Sequence, residues 1–406
     1  MQTKYKMGIL ATHPIQYLSP WYRALAAHPE VDLMVYYAHQ QTPQGQANAG
    51  FGVPFEWDRP LLDGYPHQFL KNTARRPGTD NFFGCDTPEI ADRISRERFD
   101  AFLVSGWHVR SFWQAMKSCW KTKTPLLVRG DSQLVTARSG FKRLAKYPFY
   151  RWFIPRFDAY LIVGRRAKDY FLHYGASENR MFSVPHFVDN RFFAEASSAF
   201  RRDRPLIRRE WGLPPEAVVF LFAGKLVARK RPMDFLHALR QAAASCPGVY
   251  GLVAGDGPLR SEMESYVRAY GLPIRFSGFL NQSVVSKAYA ASDALVLPSD
   301  GSETWGLVVN EAMACGLPAF VSHEVGCGPD LVDSGRTGDI FQRGDSAALG
   351  EILKREAVRP EHLREMGRAA RERLEAHSVE KAVDGTLEAI QACCKIHCAI
   401  QKNHGF

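Results

Sequence analysis

Short apolar segments alternate with amphipathic helical segments along the whole chain, in two series separated by a charged stretch. The apolar segments are rich in Val, Leu, Ile and Phe, which is typical of parallel strands covered by helices on both faces. The first series has candidate strands at residues 7–11, 32–37, 101–104, 125–128, 159–163 and 182–184. The second has them at residues 218–223, 251–254, 274–276, 294–297 and 319–321. The alternation predicts two consecutive doubly wound α/β units.

Residues 191–211 interrupt the alternation, because they are charge-rich, contain proline and show no period. We interpret them as an interdomain linker, with a first domain at residues 1–195 and a second at 196–380. A length of 406 residues fits two domains of ordinary size. Ligands of such sheets bind at the carboxyl ends of strands, so the loops there are the candidate site.

The composition is basic, with 52 Lys and Arg against 42 Asp and Glu. This permits nucleic acid, anionic lipid or phosphate-bearing partners and does not choose among them. The eight cysteines are scattered except at the tail, which favours a reducing compartment over a disulfide framework. No apolar run approaches the ~18 residues of a membrane span, and residues 7–11 are too short for a signal-peptide core. We therefore expect a cytoplasmic protein.

The stretch of residues 293–321 reads strand, polar loop, helix and strand. Ser302 and Thr304 are candidate caps for a helix predicted at residues 305–315, which Gly316 would end. The amides of three residues would then face a phosphate at the positive end of the helix dipole. They are Trp305, Gly306 and Leu307.

Two carboxylates, Glu303 and Glu311, flank this helix start with seven residues between them. Carboxylates are suitable acceptors for paired sugar or ribose hydroxyls. A capped surface helix with two solvated glutamates fits the spacing equally well.

Two further loops follow strands of the second series. Residues 224–231 carry four cations, among them Lys225 and Lys230, which could neutralise a diphosphate or belong to a solvated loop. Gly224 begins this loop. Residues 255–258 form a tight turn that permits close backbone approach. Its candidate site residues are Gly255, Asp256 and Gly257.

Together these segments resemble the donor domain of retaining GT-B glycosyltransferases of family 4, the glycosyl transferases group 1. The match is strongest across residues 218–341, where the basic pair, the glycine turn and an E-x7-E element at residues 303–311 follow in order. Residues 184–189 resemble the segment that closes the family's first domain. The resemblance implies a GT-B fold, two Rossmann-like domains facing across a cleft, with an acceptor-side first domain and a donor-binding second domain. It also implies that residues 381–406 form a helix that crosses back to the first domain.

The resemblance implies roles for individual residues. Glu311 would bind the nucleotide ribose and Glu303 the donor sugar, while Lys225 and Lys230 would hold the diphosphate. His108, at the end of a first-domain strand, matches a family histidine near the reacting centre. A hydrogen-bonded structural histidine is the alternative there.

The chain departs from the family pattern at two places. Lys225 stands where the family usually has arginine, which keeps the charge without bidentate geometry. Residues 12–17 replace a Gly-Gly loop, which makes His13 and Gln16 candidates on the acceptor side. Asp131 could contact an acceptor hydroxyl or form an internal ion pair.

The function implied is transfer of a hexose from a nucleotide sugar, UDP-linked, to a glycan or lipid-linked acceptor in cell-surface polysaccharide or glycolipid assembly. Retention by front-side attack is implied by the family. No Asp-x-Asp element is present, so we expect no metal and no cofactor. Two other functions stay open: a nucleotide-sugar epimerase of GT-B fold and a noncatalytic subunit of a glycan-assembly complex.

Residues 132–157 contain no acidic side chain and interleave bases with large aromatics, which suits contact with an anionic membrane at its inner face. No nucleic-acid-binding motif accompanies the patch. A core helix with solvated basic flanks is the alternative, and Pro148 would break a long amphipathic helix. The six bases are Arg138, Lys142, Arg143, Lys146, Arg151 and Arg156. We interpret Phe82 and Phe83, elsewhere in this domain, as core residues.

Overall fold

The computed structural model describes residues 4–42, 55–135 and 140–403, without the side chains of residues 140–143 and 396–403. Two parallel sheets dominate this part of the chain, one built before residue 184 and one after residue 217. The prediction of two doubly wound units is confirmed.

In the described residues the first sheet has seven strands in the order β3-β2-β1-β4-β5-β6-β7. The strands are β1 Tyr5–Ala11, β2 Val31–Tyr37, β3 His67–Phe69, β4 Ala101–Val104, β5 Leu126–Gly130, β6 Ala159–Ile162 and β7 Met181–Ser183. The helices between them are α1 Ser19–Ala27, α2 Ile90–Glu97, α3 Arg110–Thr122, α4 Gly140–Phe153 and α5 Arg165–His173.

The second sheet has six strands, all described, in the order β10-β9-β8-β11-β12-β13. They are β8 Val218–Ala223, β9 Val249–Ala254, β10 Ile274–Gly278, β11 Ala294–Leu297, β12 Ala319–Ser322 and β13 Gly338–Phe341. The helices around them are α6 Asn190–Arg202, α7 Arg204–Glu210, α8 Pro232–Ser245, α9 Arg260–Tyr270, α10 Val285–Ala291, α11 Leu307–Ala314, α12 Gly328–Leu331, α13 Ser346–Ala357, α14 Pro360–Leu374 and α15 Val379–Asn403.

All eleven strands predicted from the apolar segments are present, and two further strands were missed. The missed strands, β3 and β13, lie at the outer edges of their sheets. An edge strand has a neighbour on one side and is partly open to solvent, so it needs no continuous apolar run. The sequence signal that located the central strands is therefore absent at these two edges.

The prediction of an aperiodic linker at residues 191–211 is wrong, because α6 and α7 occupy this stretch. Asp189 caps α6 by accepting a hydrogen bond from the Phe192 amide at 3.0 Å. Phe193 and Ser197 form the buried side of α6, and Arg191 and Arg202 are exposed. The proline of α7 lies in the first helical turn, where the missing amide has no intrahelical partner to lose.

The last helix, α15, packs against α1 and β7 of the first sheet. Ala389, Ile390 and Cys393 join the core beneath that sheet. A Cβ at Gly385 would lie 1.9 Å from the Ser183 carbonyl oxygen, so the helix and β7 are in direct backbone contact. Helix α15 thus lies on the first half of the molecule, while the boundaries at residues 195 and 380 stay predictions.

Helix α4 continues through Pro148, contrary to the expectation that this proline would break it. Pro148 and Leu144 are both exposed, so the carbonyl of Leu144 that loses its amide partner lies on the solvent side, where water can bind it. The segment predicted to contact a membrane lies in part outside the described residues, because Arg138 is not described and the side chains of Lys142 and Arg143 are not. No helix within the described ranges is long and apolar enough to span a bilayer.

Candidate active site

The loops after β8 and β9 touch through their backbones. A Cβ at Gly255 would lie 1.9 Å from the Gly224 carbonyl oxygen, and one at Gly257 would lie 2.7 Å from the Leu226 carbonyl oxygen. Both glycines also have positive φ, +144° and +154°. Any larger residue at either position would clash and be strained. The bare backbone of Gly224 and Gly255 forms the floor, hereafter the glycine floor, of a cavity of about 200 Å³.

Asp256 lies in this turn and lines the same cavity. One of its carboxylate oxygens accepts from the Gly257 amide at 2.7 Å and the other from Arg260 at 2.7 Å. Both oxygens therefore serve the turn, and the residue shapes the cavity floor.

Three of the four cations predicted after β8 line the cavity: Lys225, Arg229 and Lys230. Lys230 is 8% exposed and forms an ion pair with Glu303. Ser299 also donates to the Glu303 carboxylate, at 3.3 Å. Burial, reinforced by the positive charges of Arg229 and Lys230, lowers the pKa of Lys225 to about 8. The cations thus converge beside the glycine floor, as an anion site requires.

The fourth cation, Arg231, turns away from the cavity. Its guanidinium forms two hydrogen bonds with the Asp234 carboxylate in the first turn of α8, at 2.6 and 3.0 Å.

Glu311, in the middle of α11, lines the cavity with its side chain almost wholly buried. The Tyr289 hydroxyl donates to its carboxylate at 2.5 Å. Burial raises the pKa of Glu311 to about 7, although the Tyr289 hydrogen bond and the charge of Lys230 act in the opposite direction. Tyr289 was not predicted from the sequence, because an aromatic residue on an apolar helix resembles an ordinary core residue.

The predicted caps of α11 are wrong. Ser302 bonds through its amide and hydroxyl to Asp300, and Thr304 donates to Asp131 of the first half at 2.6 Å. The N-cap position is taken by Gly306, with φ +99° and no side-chain cap. The loop hydroxyls stabilise the turn and the contact between halves, which leaves the helix start uncapped by any side chain.

The neighbours of Gly306 differ in their roles. Leu307 begins α11, so its amide belongs to the uncapped helix start. Trp305 is 5% exposed, and its indole N–H donates to Asn310 at 2.8 Å. The Trp305 side chain therefore belongs to the core, and only its backbone can take the predicted role.

Three first-half residues predicted at the site come together at the ends of β1, β4 and β5. Burial, with smaller contributions from His39 and His108, lowers the pKa of His13 to about 4. Burial also lowers the pKa of His108, against the opposing charge of Asp131. Both imidazoles are accordingly neutral at neutral pH. Gln16 lies apart from them, in the wall of the cavity that holds Glu311.

The interpretation of Phe82 and Phe83 as core residues is wrong. Their side chains are 39% and 67% exposed. The Phe82 carbonyl accepts from the Arg110 amide at the start of α3, so the pair lies near the helix that follows His108.

A first-half segment that the sequence analysis missed lies across the cavity. Residues 55–59, hereafter the strap, contribute Trp57 to the cavity wall. The Ser283 amide donates to the Asp58 carboxylate at 3.1 and 3.2 Å, and Asn281 donates to a strap carbonyl at 2.7 Å. The strap therefore joins the two halves over the cavity. No motif marks it in the sequence.

The end of the cavity beneath the strap is largely apolar. Phe279 packs on Phe55 of the strap with ring centroids 4.5 Å apart, and Leu280 lies beside it. Gln282 also lines this end, and its side-chain oxygen is buried without a hydrogen-bond partner in the described structure. An apolar slot with one unsatisfied amide oxygen can take a planar ring that donates a hydrogen bond. In the part of the chain that the structure describes, no group of three or more potential metal ligands occurs.

Residues 203–373 match the family model described as glycosyl transferases group 1. The match covers less than half of the chain, namely the second sheet and most of the helices around it. The matched residues contain the glycine floor, the cations and both glutamates, which are the elements that carried the resemblance in the sequence.

The chain is 27% identical over 318 residues to a D-inositol 3-phosphate glycosyltransferase of Streptomyces bingchenggensis, covering 74% of this chain and 66% of the relative. It is 30% identical over 240 residues to a GDP-mannose-dependent alpha-(1-6)-phosphatidylinositol dimannoside mannosyltransferase of Mycobacterium tuberculosis, covering 58% of each. The matches thus span less than two thirds of these relatives.

Among solved structures, Anabaena HepE in complex with UDP superposes with a TM-score of 0.72 over 96% of this chain and 100% of that one, at 16% identity. The sucrose-phosphate synthase of Thermosynechococcus elongatus superposes with a TM-score of 0.67 over 98% and 100%, at 18% identity. The superpositions extend over both sheets of this chain, and the predicted GT-B architecture is confirmed.

Proposed function

We propose that this chain is a glycosyltransferase that moves a hexose from a nucleotide sugar to a glycan or lipid-linked acceptor. The observation that carries the proposal is the single cavity in which Lys225 and Lys230 face a glycine floor and Glu311 lies within the same wall. Cations suit a diphosphate, and a carboxylate suits paired ribose hydroxyls. The two relatives compared above, a D-inositol 3-phosphate glycosyltransferase and a mannosyltransferase, are named for activities that agree with this assignment.

In this proposal catalysis is mainly electrostatic. Lys225, Lys230 and the uncapped amides at Leu307 stabilise the charge that develops as the diphosphate leaves. The role is one that a metal ion fills in other sites, so we propose a metal-independent reaction. Activity should survive dialysis against EDTA, and a complete loss restored by Mn²⁺ would contradict this part of the proposal.

Retention of configuration by front-side attack is part of the same proposal, in line with the resemblance to family 4. Glu303 is held by Lys230 and Ser299. A carboxylate engaged in this way is better suited to binding sugar hydroxyls than to forming a covalent intermediate. NMR of the product's anomeric proton should show the donor's configuration, and inversion would exclude this mechanism.

We propose UDP as the nucleotide. The slot beneath the strap offers apolar faces to a pyrimidine and the unsatisfied amide of Gln282 to its edge, and the HepE neighbour is described in complex with UDP. A thermal-shift screen with UDP, GDP and ADP tests this, because a ligand that binds only the folded state raises its melting temperature. The largest shift should come from UDP. If GDP raised the melting temperature more than UDP did, the nucleotide would instead be assigned as a guanine nucleotide.

We further propose that α4 contacts an anionic membrane at its inner face, where lipid-linked acceptors of glycolipid or polysaccharide assembly would be met. Leu144, Phe149 and Trp152 are 73%, 44% and 53% exposed. Arg156 lies 3.7 Å from the Trp152 ring centroid, so charge and aromatic surface are adjacent. Each base near such a surface contributes about 1 kcal/mol.

Sedimentation with vesicles tests the membrane contact. Wild type should pellet with phosphatidylglycerol vesicles at low salt and be released at high salt. Replacing Leu144 and Trp152 by serine should remove this binding, while the same change at the exposed Leu206 of α7 should not. Equal binding to neutral vesicles, or none to either, would favour an acceptor free in solution.

A further inference from the structure

A second cavity, of about 230 Å³, lies at the amino ends of β11 and β12. This sheet edge is opposite the cavity lined by Lys225 and Glu311, hereafter the donor cavity. Its walls come from α6, α7, α14 and the residues that follow α11. Asp293 is the acidic residue of its lining. Five arginines line it, namely Arg201, Arg204, Arg364, Arg368 and Arg371.

Part of this positive charge has a structural role. Arg201 donates to the Cys315 carbonyl at 2.8 Å, at the carboxyl end of α11, where a cation is favourable. Arg204 forms an ion pair with Asp293 at 2.6 Å. Arg208, from outside the cavity, pairs with the same carboxylate at 2.9 Å. The one acidic residue of the lining is therefore already shared by two guanidinium groups.

The remaining three arginines differ. Arg364 forms an ion pair with Glu361. Arg368 and Arg371 form no ion pair within 4.0 Å among the described residues. The Nε of Arg204 is buried and has no hydrogen-bond partner there. Burial together with the neighbouring charges of Arg204 and Arg371 lowers the pKa of Arg201. Guanidinium groups that repel one another around a cavity are stabilised when an anion enters it.

Two glycines keep the space open. A Cβ at Gly316 would lie 2.9 Å from a terminal nitrogen of Arg371, and one at Gly367 would lie 2.1 Å from the Gly316 carbonyl oxygen. The floor is therefore bare backbone, over which the guanidinium groups converge.

We propose that this arginine cavity binds a phosphate group, from either a free phosphate ester or a phospholipid headgroup. Arginine forks donate paired hydrogen bonds to phosphate oxygens, and several forks around one cavity can contact a single phosphate group from more than one side. The site is separate from the donor cavity, and the inference does not depend on the proposed transferase activity.

Calorimetric titration with inorganic pyrophosphate tests the site. The Arg368→Gln, Arg371→Gln double variant should lose one binding event of the wild type, with affinity at that site reduced at least tenfold. Lys225→Ala, Lys230→Ala should keep that event and lose a different one, so failure of either site is seen separately. The exposed Arg336→Ala variant is the matched control and should bind as wild type does. Unchanged binding in the double arginine variant would overturn the proposal.

Vesicles of phosphatidylglycerol distinguish the two sources of phosphate. If the double arginine variant pellets less than wild type, the lipid headgroup is the ligand. If it pellets equally but no longer binds pyrophosphate, a free phosphate compound is the ligand. If it keeps both properties, the cavity is not a phosphate site.

Discussion

The carboxyl edges of the two sheets border one cleft, yet they bring different kinds of groups to it. The second sheet presents charges that are already engaged, in the Lys230–Glu303 pair and the Tyr289–Glu311 hydrogen bond. The first sheet presents imidazoles that burial keeps neutral, such as His108. The difference indicates separate roles. The edge of the second sheet is suited to binding an anion, and the edge of the first sheet is suited to an uncharged hydroxyl acceptor.

The largest expected effect comes from removing the central charge of the second edge. Lys230→Ala should reduce kcat by about 100- to 1000-fold, because its charge matters most as the diphosphate leaves. Nucleoside binding should change much less. Turnover with a sugar donor of the nucleotide that gives the largest thermal shift measures the effect. Lys354→Ala, on α13 with a side chain 44% exposed, is the control. Wild-type kcat in Lys230→Ala would remove the basic loop from the reaction.

Glu311→Gln should act on binding instead. The variant loses a charged acceptor of ribose hydroxyls, which is worth about 1.5–3 kcal/mol, or roughly ten- to a hundredfold in Kd. Nucleotide titration at pH 8, above the pKa of Glu311, measures it. His108 lies on the edge of the other sheet, so His108→Ala should leave this Kd unchanged. If Glu311→Gln and His108→Ala raised the Kd equally, the two sheet edges would not have separate roles in nucleotide binding.

The buried state of Glu311 also predicts a pH dependence of stability. Its pKa is raised from 4.5 to about 7, so between these values the unfolded chain releases a proton that the folded protein keeps. Raising the pH through this window should therefore lower the free energy of unfolding by up to roughly 3 kcal/mol. Urea unfolding of wild type and Glu311→Gln at pH 5 and pH 8 measures the difference. A gap that does not change with pH would mean that Glu311 is ionised throughout.

Residues within one short segment were predictable from sequence, because their spacing determines their geometry. The glycine turn at Gly255 and Gly257 and the placement of Glu311 on a helix follow from local order along the chain. The central strands were predictable for the same reason, since burial on both faces requires a continuous apolar run.

Contacts between distant segments were not predictable in this way. Thr304 resembled a helix cap, but its partner Asp131 lies 173 residues away. Tyr289 resembled a core residue until the fold placed its hydroxyl against Glu311. The same limit applies to the strap, whose residues carry no local pattern and acquire a role only when the two halves meet.

The strap gives the smallest expected effect and the sharpest test of how the two edges cooperate. Asp58 accepts hydrogen bonds from the Ser283 amide and hydroxyl across the halves, in an exposed position. Exposed contacts of this kind contribute about 0.2–1 kcal/mol, so Asp58→Ala should weaken nucleotide binding about two- to fivefold and leave kcat nearly unchanged. Asp63→Ala, an exposed carboxylate a few residues further along, is the matched control.

Ser283→Ala completes a double-mutant cycle with Asp58→Ala, because it removes the hydroxyl donor and keeps the amide. If the strap closes over the bound nucleotide, the two changes should together cost less than the product of their separate effects on Kd. Strictly multiplicative effects would mean that the two side chains act independently. The strap would then be a passive wall of the cavity.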